Sequence, residues 1–177
     1  CGDPPNWPDN TKGISTLRIT LKLRPMGMLA GLRGAREQHI DIVDYPGEWL
    51  LDLGLMAKSY EEWSQETLSR MQDREIAEDY LTMLQSLDPS DRFNEAHAKS
   101  IWSLFSDYLH HARDAGYSDL TPGRFLLPGE MTGSPALTFA PIQKPNSRLR
   151  KTLWAEMKRR YDAYKIHVVR PFFRDHF

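Results

Sequence analysis

The feature that most constrains this chain is an apolar strand-like run that stops at a carboxylate. In HIDIVDYPGEWLLD the run ends at Asp44, Tyr45-Pro46-Gly47 follows, and a bulky amphipathic segment begins at once. In open α/β sheets, ligands bind at the carboxyl ends of the strands. The pattern therefore predicts a polar site at the end of this strand.

Two interpretations of the Asp-x-x-Gly spacing are open from the residues alone. Asp44 can hold Mg²⁺, directly or through water, and Gly47 leaves its backbone N–H free to approach a phosphate because it has no Cβ. P-loop GTPases sense the terminal phosphate of their nucleotide with this pattern. Alternatively, Tyr45-Pro46-Gly47 forms a type II turn, with Pro in the second position and Gly in the third, that Asp44 caps.

The chain is organised as a short β part followed by a longer helical part. In TLRITLKLR, apolar residues alternate with polar ones, which predicts a strand with one wet face. HIDIVD is expected to form a second, more buried strand that pairs with the first across a long loop. Together they predict a hairpin.

After Glu48 the hydrophobic pattern becomes helical. Apolar residues recur at steps of three and four, which is typical of one buried helix face. A further helix or helix pair is expected between Tyr60 and Leu87, and the Pro- and Gly-rich stretch 116–146 is expected to be irregular. The predicted faces are Ala98, Ile101, Leu104, Phe105, Tyr108, Leu109 and Ala112 in one helix, and Leu149, Leu153, Met157, Tyr161, Tyr164 and Val168 in the last.

Composition narrows the function classes. The 177 residues are 40% hydrophobic and 27% charged, which suits one globular domain or a large part of one. Lys and Arg number 23 against 24 Asp and Glu, so the net charge of -1 provides no overall field for nucleic acid or anionic lipid. The single cysteine, Cys1, excludes an internal disulfide and favours a reducing compartment, so a cytoplasmic location is expected.

Several longer strings resemble a known family. DIVDYPGEWLLDL, SYEEWS, GRFLLPGEMTGSPALTFAP and RRYDAYKIHVVRPFFRDHF are similar, in this order, to the YcjX-like family of bacterial P-loop GTPase-like proteins associated with stress responses. The resemblance implies an α/β fold, as a fragment of a P-loop NTPase whose Ras-like core carries a large helical insertion. Residues 1–56 would form the switch loop and strand hairpin of the core. Residues 57–177 would form the insertion and a connecting helix.

The nucleotide interpretation assigns roles to four residues. Thr11, in WPDNT before the first strand, is the candidate switch-loop ligand of the metal, and Asp44 would hold the metal through water. The Gly47 amide would contact the γ-phosphate. Glu48 stands where many GTPases carry the glutamine that orients the attacking water. The cofactors expected are Mg²⁺ and GTP or ATP, and the activity expected is nucleoside triphosphate hydrolysis as a stress-related switch.

The chain lacks two motifs that such an enzyme needs. It contains no G-x-x-x-x-G-K-S/T phosphate cradle and no Asn/Thr-Lys-x-Asp motif that reads guanine. In the resembling family these lie before Cys1 and after Phe177. The chain, which begins without Met, is therefore interpreted as the middle of a longer enzyme, and alone it is expected to be inactive.

A second function class stays open. In it, the nucleotide site is vestigial and the helical part is a non-enzymatic module that binds an unidentified protein partner, including a membrane-associated one. No nucleic-acid partner is expected, because the basic residues near the last helix alternate with its apolar face. Arg124, the cation of GRFLLPGEMTGSPALTF, is expected to anchor its loop rather than to act as an arginine finger.

Overall fold

The computed structural model describes residues 14–23, 36–131, 133–146 and 151–174. The chain divides into two compact units, Cys1–Gly47 and Glu48–Phe177. The described part is α/β, with an antiparallel hairpin and mainly helical content elsewhere. The division expected after residue 56, between part of a nucleotide-binding core and an insertion, stays a prediction.

The first unit contains the hairpin of β1 (Ser15–Leu23) and β2 (Arg36–Asp44). The register places Leu17 opposite Ile42 and Arg18 opposite Asp41, so one face is apolar and the other is charged. On the charged face, Arg18 donates to both carboxylate oxygens of Asp41, at 2.6 and 2.8 Å. The predicted pairing of the two strands is confirmed.

The expectation that β2 is the more buried strand is wrong in this structure. Ile40 is 41% exposed and Ile42 is 49% exposed, similar to the apolar residues of β1. The physical reason is that two strands cover neither face of their own sheet, so burial needs a further layer packed on the apolar side.

The second unit is built from helices, three of which begin at local capping signals. Ser59 forms a capping box with Glu62 at the start of α2, and the Asn94 and Thr152 side chains accept from backbone N–H groups at the starts of α4 and α6. The α-helices of the described chain are α1 (Gly47–Leu50), whose first residue is the last of the first unit, α2 (Tyr60–Met71), α3 (Glu78–Gln85), α4 (Glu95–Asp114), α5 (Gly123–Leu126), α6 (Leu153–Tyr164) and α7 (Arg170–Arg174).

The periodic faces predicted from sequence are largely the ones that pack. The α4 face from Ala98 to Ala112 is buried except for the partly buried Leu104, and α6 buries its predicted residues. Leu149, predicted at the start of the α6 face, lies outside the described residues. The last helix is not uniform, because a π-helical segment, Lys165–Val169, joins α6 to α7.

The core of this unit is aromatic and centres on Trp63 of α2. Its ring stacks on that of Tyr161 with centroids 5.1 Å apart, and meets the rings of Phe105 and Phe139 edge-on. Phe139 comes from the stretch 116–146, which the structure shows as loop with short helical turns. This irregular stretch is therefore part of the core.

Candidate functional site

Asp44 and Gly47 lie where the strand of the first unit ends. Asp44 is the last residue of β2, is exposed, and is paired in register with Ser15. Gly47 is the first residue of α1 and is also exposed. The sequence therefore leads from a strand directly into a helical turn, with the carboxylate and the glycine on either side of Tyr45-Pro46.

The type II turn considered from the sequence does not form at Gly47. Such a turn needs a positive φ at its third position. The positive-φ glycines of the described chain are Gly116, Gly129 and Gly133, and Gly47 instead begins a helix. A Cβ built on Gly47 would meet no described atom within 4 Å. Local backbone conformation and packing among the described residues therefore give no reason for a glycine here.

Glu48 begins the second unit, and its backbone is pressed against Gly123. A Cβ built on Gly123 would lie 1.6 Å from the carbonyl oxygen of Glu48, so only glycine allows this approach. Gly123 is the first residue of α5 and is buried. The position of the Glu48 backbone is thus fixed by a segment far away in sequence.

Trp49 continues this contact with its side chain. The indole N–H donates to the carbonyl oxygen of Leu127 at 2.9 Å, and Phe172 meets the indole edge-on with centroids 5.3 Å apart. The guanidinium carbon of Arg124 lies 3.3 Å from the centroid of the Trp49 ring. This cation–π contact between Arg124 and Trp49 is consistent with the loop-anchoring role expected for Arg124.

Asp52 is buried and accepts several hydrogen bonds at the same place. The Gly123 N–H donates to Oδ1 at 2.8 Å, and the Tyr164 hydroxyl donates to Oδ2. Burial raises the pKa of Asp52 to about 6, while the hydrogen bonds from Tyr164 and from the Gly123 and Arg124 backbone favour the ionised form and oppose that rise. Burial also disfavours the charged form of Arg124 and so lowers its pKa, whereas the electrostatic interactions with Tyr164 and Asp52 act to raise it.

We call Glu48, Trp49, Asp52, Gly123 and Arg124 the anchor cluster. Sequence analysis missed it as a unit, although it named Glu48 and Arg124 separately. In two of the hydrogen bonds of Asp52, those with Gly123 and Tyr164, the partners lie 71 and 112 residues apart. The one sequence signal that bears on it is the aspartate inside the apolar run WLLDL, since an acidic residue among core residues needs buried partners.

The metal site expected from the sequence rests on Asp44 and Thr11. Thr11 lies outside the described residues. Within the described ranges, no three His, Cys, Asp or Glu side chains come together as a metal cluster. One exposed carboxylate still suits Mg²⁺, which proteins commonly bind through one or two carboxylates together with water and substrate phosphates. The donor type of Asp44 therefore fits the expected ion.

The basic residues of α6 form ion pairs within their own helix and, through Arg160, with α4. Arg160 is buried and donates to Glu95 of α4, to Glu156 one turn earlier, and to the carbonyl oxygen of Thr138. Lys158 pairs with Asp162.

Among the helices that the structure describes, none is both long and apolar enough to cross a membrane.

Comparison with known proteins decides the family. A model of the YcjX-like family, DUF463, matches residues 1–177. The chain belongs to the YcjX-like family. It is 35% identical over 187 residues to a Ras-like GTPase YcjX of Escherichia coli K12 and 35% identical over 192 residues to a Ras-like GTPase YcjX of Shewanella oneidensis.

These matches cover this chain and only part of each relative. They span 99% of the chain but 40% of the Escherichia coli protein and 39% of the Shewanella protein. The chain therefore spans about two fifths of the length of the curated relatives it matches. The family resemblance predicted from sequence is confirmed, and both of these relatives are named as Ras-like GTPases.

Proposed function

We propose that this YcjX-like chain carries the terminal-phosphate sensor and the water-orienting residue of a GTPase that acts as a switch. The observation that carries the proposal is the passage from β2 to α1, where Asp44 ends an exposed strand and Gly47 follows without a local structural reason for glycine. Membership of a family with relatives named as GTPases supports it. A stress-related role stays a prediction.

Each residue has a limited task in this proposal. Asp44 accepts hydrogen bonds from water held by Mg²⁺, and the Gly47 N–H donates to the terminal phosphate. The carboxylate of Glu48 orients the attacking water. When bound, Mg²⁺ neutralises charge on the β- and γ-phosphates. Phosphoryl transfer depends mainly on positioning and charge neutralisation, so the location of the Glu48 carboxylate matters more than its basicity.

The test uses the full-length gene product. In Asp44→Asn we expect weaker Mg²⁺-dependent GTP binding in calorimetry and slower hydrolysis, with the melting temperature little changed because the carboxylate is exposed. Asp41→Asn is the matched control. Asp41 is also an exposed carboxylate of β2, and its ion-pair partner is Arg18 on the neighbouring strand.

Two results would count against the proposal. A melting temperature that falls in step with activity in Asp44→Asn would indicate that Asp44 only supports the local fold. An intact wild-type protein that binds neither GTP nor ATP would favour the other function class, the non-enzymatic helical module that binds a protein partner. Comparing GTP with ATP in the same assay also shows whether the protein prefers a guanine or an adenine nucleotide.

A further inference from the structure

The backbone of Glu48 and the side chain of Trp49 are held by one short stretch, 123–127. Gly123 lies against the Glu48 carbonyl so closely that any side chain would collide with it. Four residues later, the Leu127 carbonyl accepts the indole N–H of Trp49 at 2.9 Å. Both contacts lie within the second unit and connect positions that are far apart in sequence.

Arg124 covers the ring that these contacts hold. Its guanidinium carbon is 3.3 Å from the Trp49 ring centroid and 5.2 Å from that of Phe172. Trp49 is buried, so its ring is enclosed by Arg124 on its face and by Phe172 at edge-on geometry. A planar guanidinium stacks on an indole face in a way that a lysine ammonium does not.

Asp52 fixes the other end of the segment that begins at Glu48. It accepts from Gly123 and from Tyr164, and its negative charge attracts the guanidinium of Arg124. Glu48 and Asp52 are four residues apart, about one helical turn. Both ends of this turn therefore contact α5, Glu48 by close packing and Asp52 by a hydrogen bond, and Arg124 contacts the ring between them.

From this geometry we infer that Arg124 is a positioning residue for Glu48 and acts through the Trp49 ring. The inference rests on the proposed function, in which Glu48 orients the attacking water. The Arg124 guanidinium lies on the face of the Trp49 indole. We therefore expect Arg124 to contribute to hydrolysis by holding Trp49 in place, and with it the orientation of the neighbouring Glu48. Loss of the stack would let Glu48 sample more orientations while leaving the groups that bind nucleotide in place.

The first measurement is kinetic and uses the intact protein with Mg²⁺ and GTP. For Arg124→Ala we expect single-turnover hydrolysis to fall about 10- to 100-fold, the range that a small misplacement of a reacting group costs. The dissociation constant for GTP should change by less than about threefold, since positioning alters the chemical step. Arg124→Lys should recover part of the rate because it keeps the charge but not the planar stack.

Arg74 provides a matched control. It is also a partly buried arginine over an aromatic ring, 4.1 Å from the Tyr117 centroid, and it pairs with Asp119 outside the anchor cluster. We expect Arg74→Ala to lower stability while the hydrolysis rate of the folded protein stays near that of the wild type. An equal loss of rate in both arginine variants would overturn the inference, because the effect would then follow from general destabilisation.

A double mutant separates the route through Glu48 from other routes. If Arg124 acts through Glu48, adding Arg124→Ala to Glu48→Ala should leave the residual rate unchanged, since the group being positioned is already absent. A further tenfold loss in the double mutant would overturn the inference. A Glu48→Ala variant with the wild-type rate would overturn both the role of Glu48 and the role of Arg124.

The second measurement does not depend on activity. Hydrogen exchange of the backbone amides of residues 48–52, without nucleotide, should become faster in Arg124→Ala and remain slow in Arg74→Ala. Unchanged exchange in Arg124→Ala would overturn the positioning role even if the rate fell. If the wild-type protein shows no hydrolysis, the proposed function fails and Arg124 loses this role, whereas the exchange result still reports whether the cluster holds the segment.

Discussion

Asp52 and Gly123 are joined by a hydrogen bond of 2.8 Å from the backbone N–H of the glycine to Oδ1 of the carboxylate, across 71 residues of sequence. Asp52 is 2% exposed, so its carboxylate is removed from water in exchange for this bond and that of the Tyr164 hydroxyl. A buried carboxylate stays in place only when its oxygens are satisfied. The pair therefore joins the segment after β2 to the irregular stretch before α6.

The buried Asp52 predicts an unusual dependence of stability on pH. Its pKa is raised by burial to about 6 in the folded chain, against an ordinary value of 3.8. Between these values the folded state holds one more proton than the unfolded state, so the free energy of unfolding falls as the pH rises. The shift corresponds to a contribution of about 3 kcal/mol that is present below pH 4 and lost by about pH 7.

Urea denaturation of the wild type and of Asp52→Asn between pH 4 and 8 measures this effect. The variant cannot ionise, so the difference in unfolding free energy isolates the titration of Asp52 from that of the other carboxylates. We expect the wild type to lose stability relative to the variant from pH 4 to 7 and the difference to be constant above pH 7. A difference that is independent of pH would contradict the raised pKa.

A second prediction concerns two adjacent arginines of α6 that share Glu156. Arg160 is 8% exposed at its side chain and also pairs with Glu95, whereas Arg159 is 67% exposed. Arg160→Ala should cost about 2–3 kcal/mol of unfolding free energy, because it leaves polar partners without their buried donor. Arg159→Ala should cost less than about 1 kcal/mol, as exposed pairs do. Thermal and urea unfolding of both variants tests the difference.

The pKa of Glu156 makes this comparison informative. The hydrogen bond from Arg159 is the largest cause that lowers this pKa to about 2, ahead of that from Arg160. Burial nevertheless favours Arg160 as the more stabilising partner, since water screens the exposed guanidinium. If Arg159→Ala proved the more destabilising variant, burial would not be what decides the strength of these pairs. The stabilisation from ionised Glu156 should be present above pH 4.5 and lost as the pH falls through about 2.

A third prediction follows from the motifs absent from the sequence. This 177-residue chain contains no G-x-x-x-x-G-K-S/T string, whose amides and lysine hold the phosphates in P-loop enzymes. We therefore expect no measurable binding of GTP or ATP by the chain alone in calorimetry with Mg²⁺. The intact protein, measured in parallel, is the positive control. Tight binding by the 177 residues would show that they hold the phosphates by another arrangement.

The elements set by local patterning were predictable from sequence. The two strands follow an alternation with period two, and α4 and α6 follow apolar steps of three and four with capping residues at Asn94 and Thr152. The helix pair before Asp88 was also anticipated. Such patterns are visible because the residues that share a face are neighbours within one element.

The anchor cluster was not predictable in the same way. Gly123 was one glycine among several in a Pro- and Gly-rich stretch, and the collision that any side chain would make with the Glu48 carbonyl depends on tertiary packing. The type II turn at Tyr45-Pro46-Gly47 was an equally reasonable interpretation, but Gly47 lacks the positive φ that it requires. Local propensity therefore gave two answers; the folded chain excludes the turn, and the phosphate-sensing interpretation stays a proposal.

The last prediction compares two glycines whose surroundings differ. A Cβ on Gly123 would lie 1.6 Å from the Glu48 carbonyl oxygen, whereas a Cβ on Gly54 would meet no described atom within 4 Å. Neither residue has a positive φ, so backbone strain does not separate them. Gly123→Ala should cost at least about 2–3 kcal/mol, because the obstructing atoms belong to backbone and must move. Gly54→Ala should change stability by less than about 1 kcal/mol, and can be stabilising because alanine restricts the unfolded chain.

Urea denaturation of the two variants under identical conditions measures the difference between their unfolding free energies. Equal stability would mean that α5 can move away from Glu48 at no cost, and the close contact would then not fix the position of that residue.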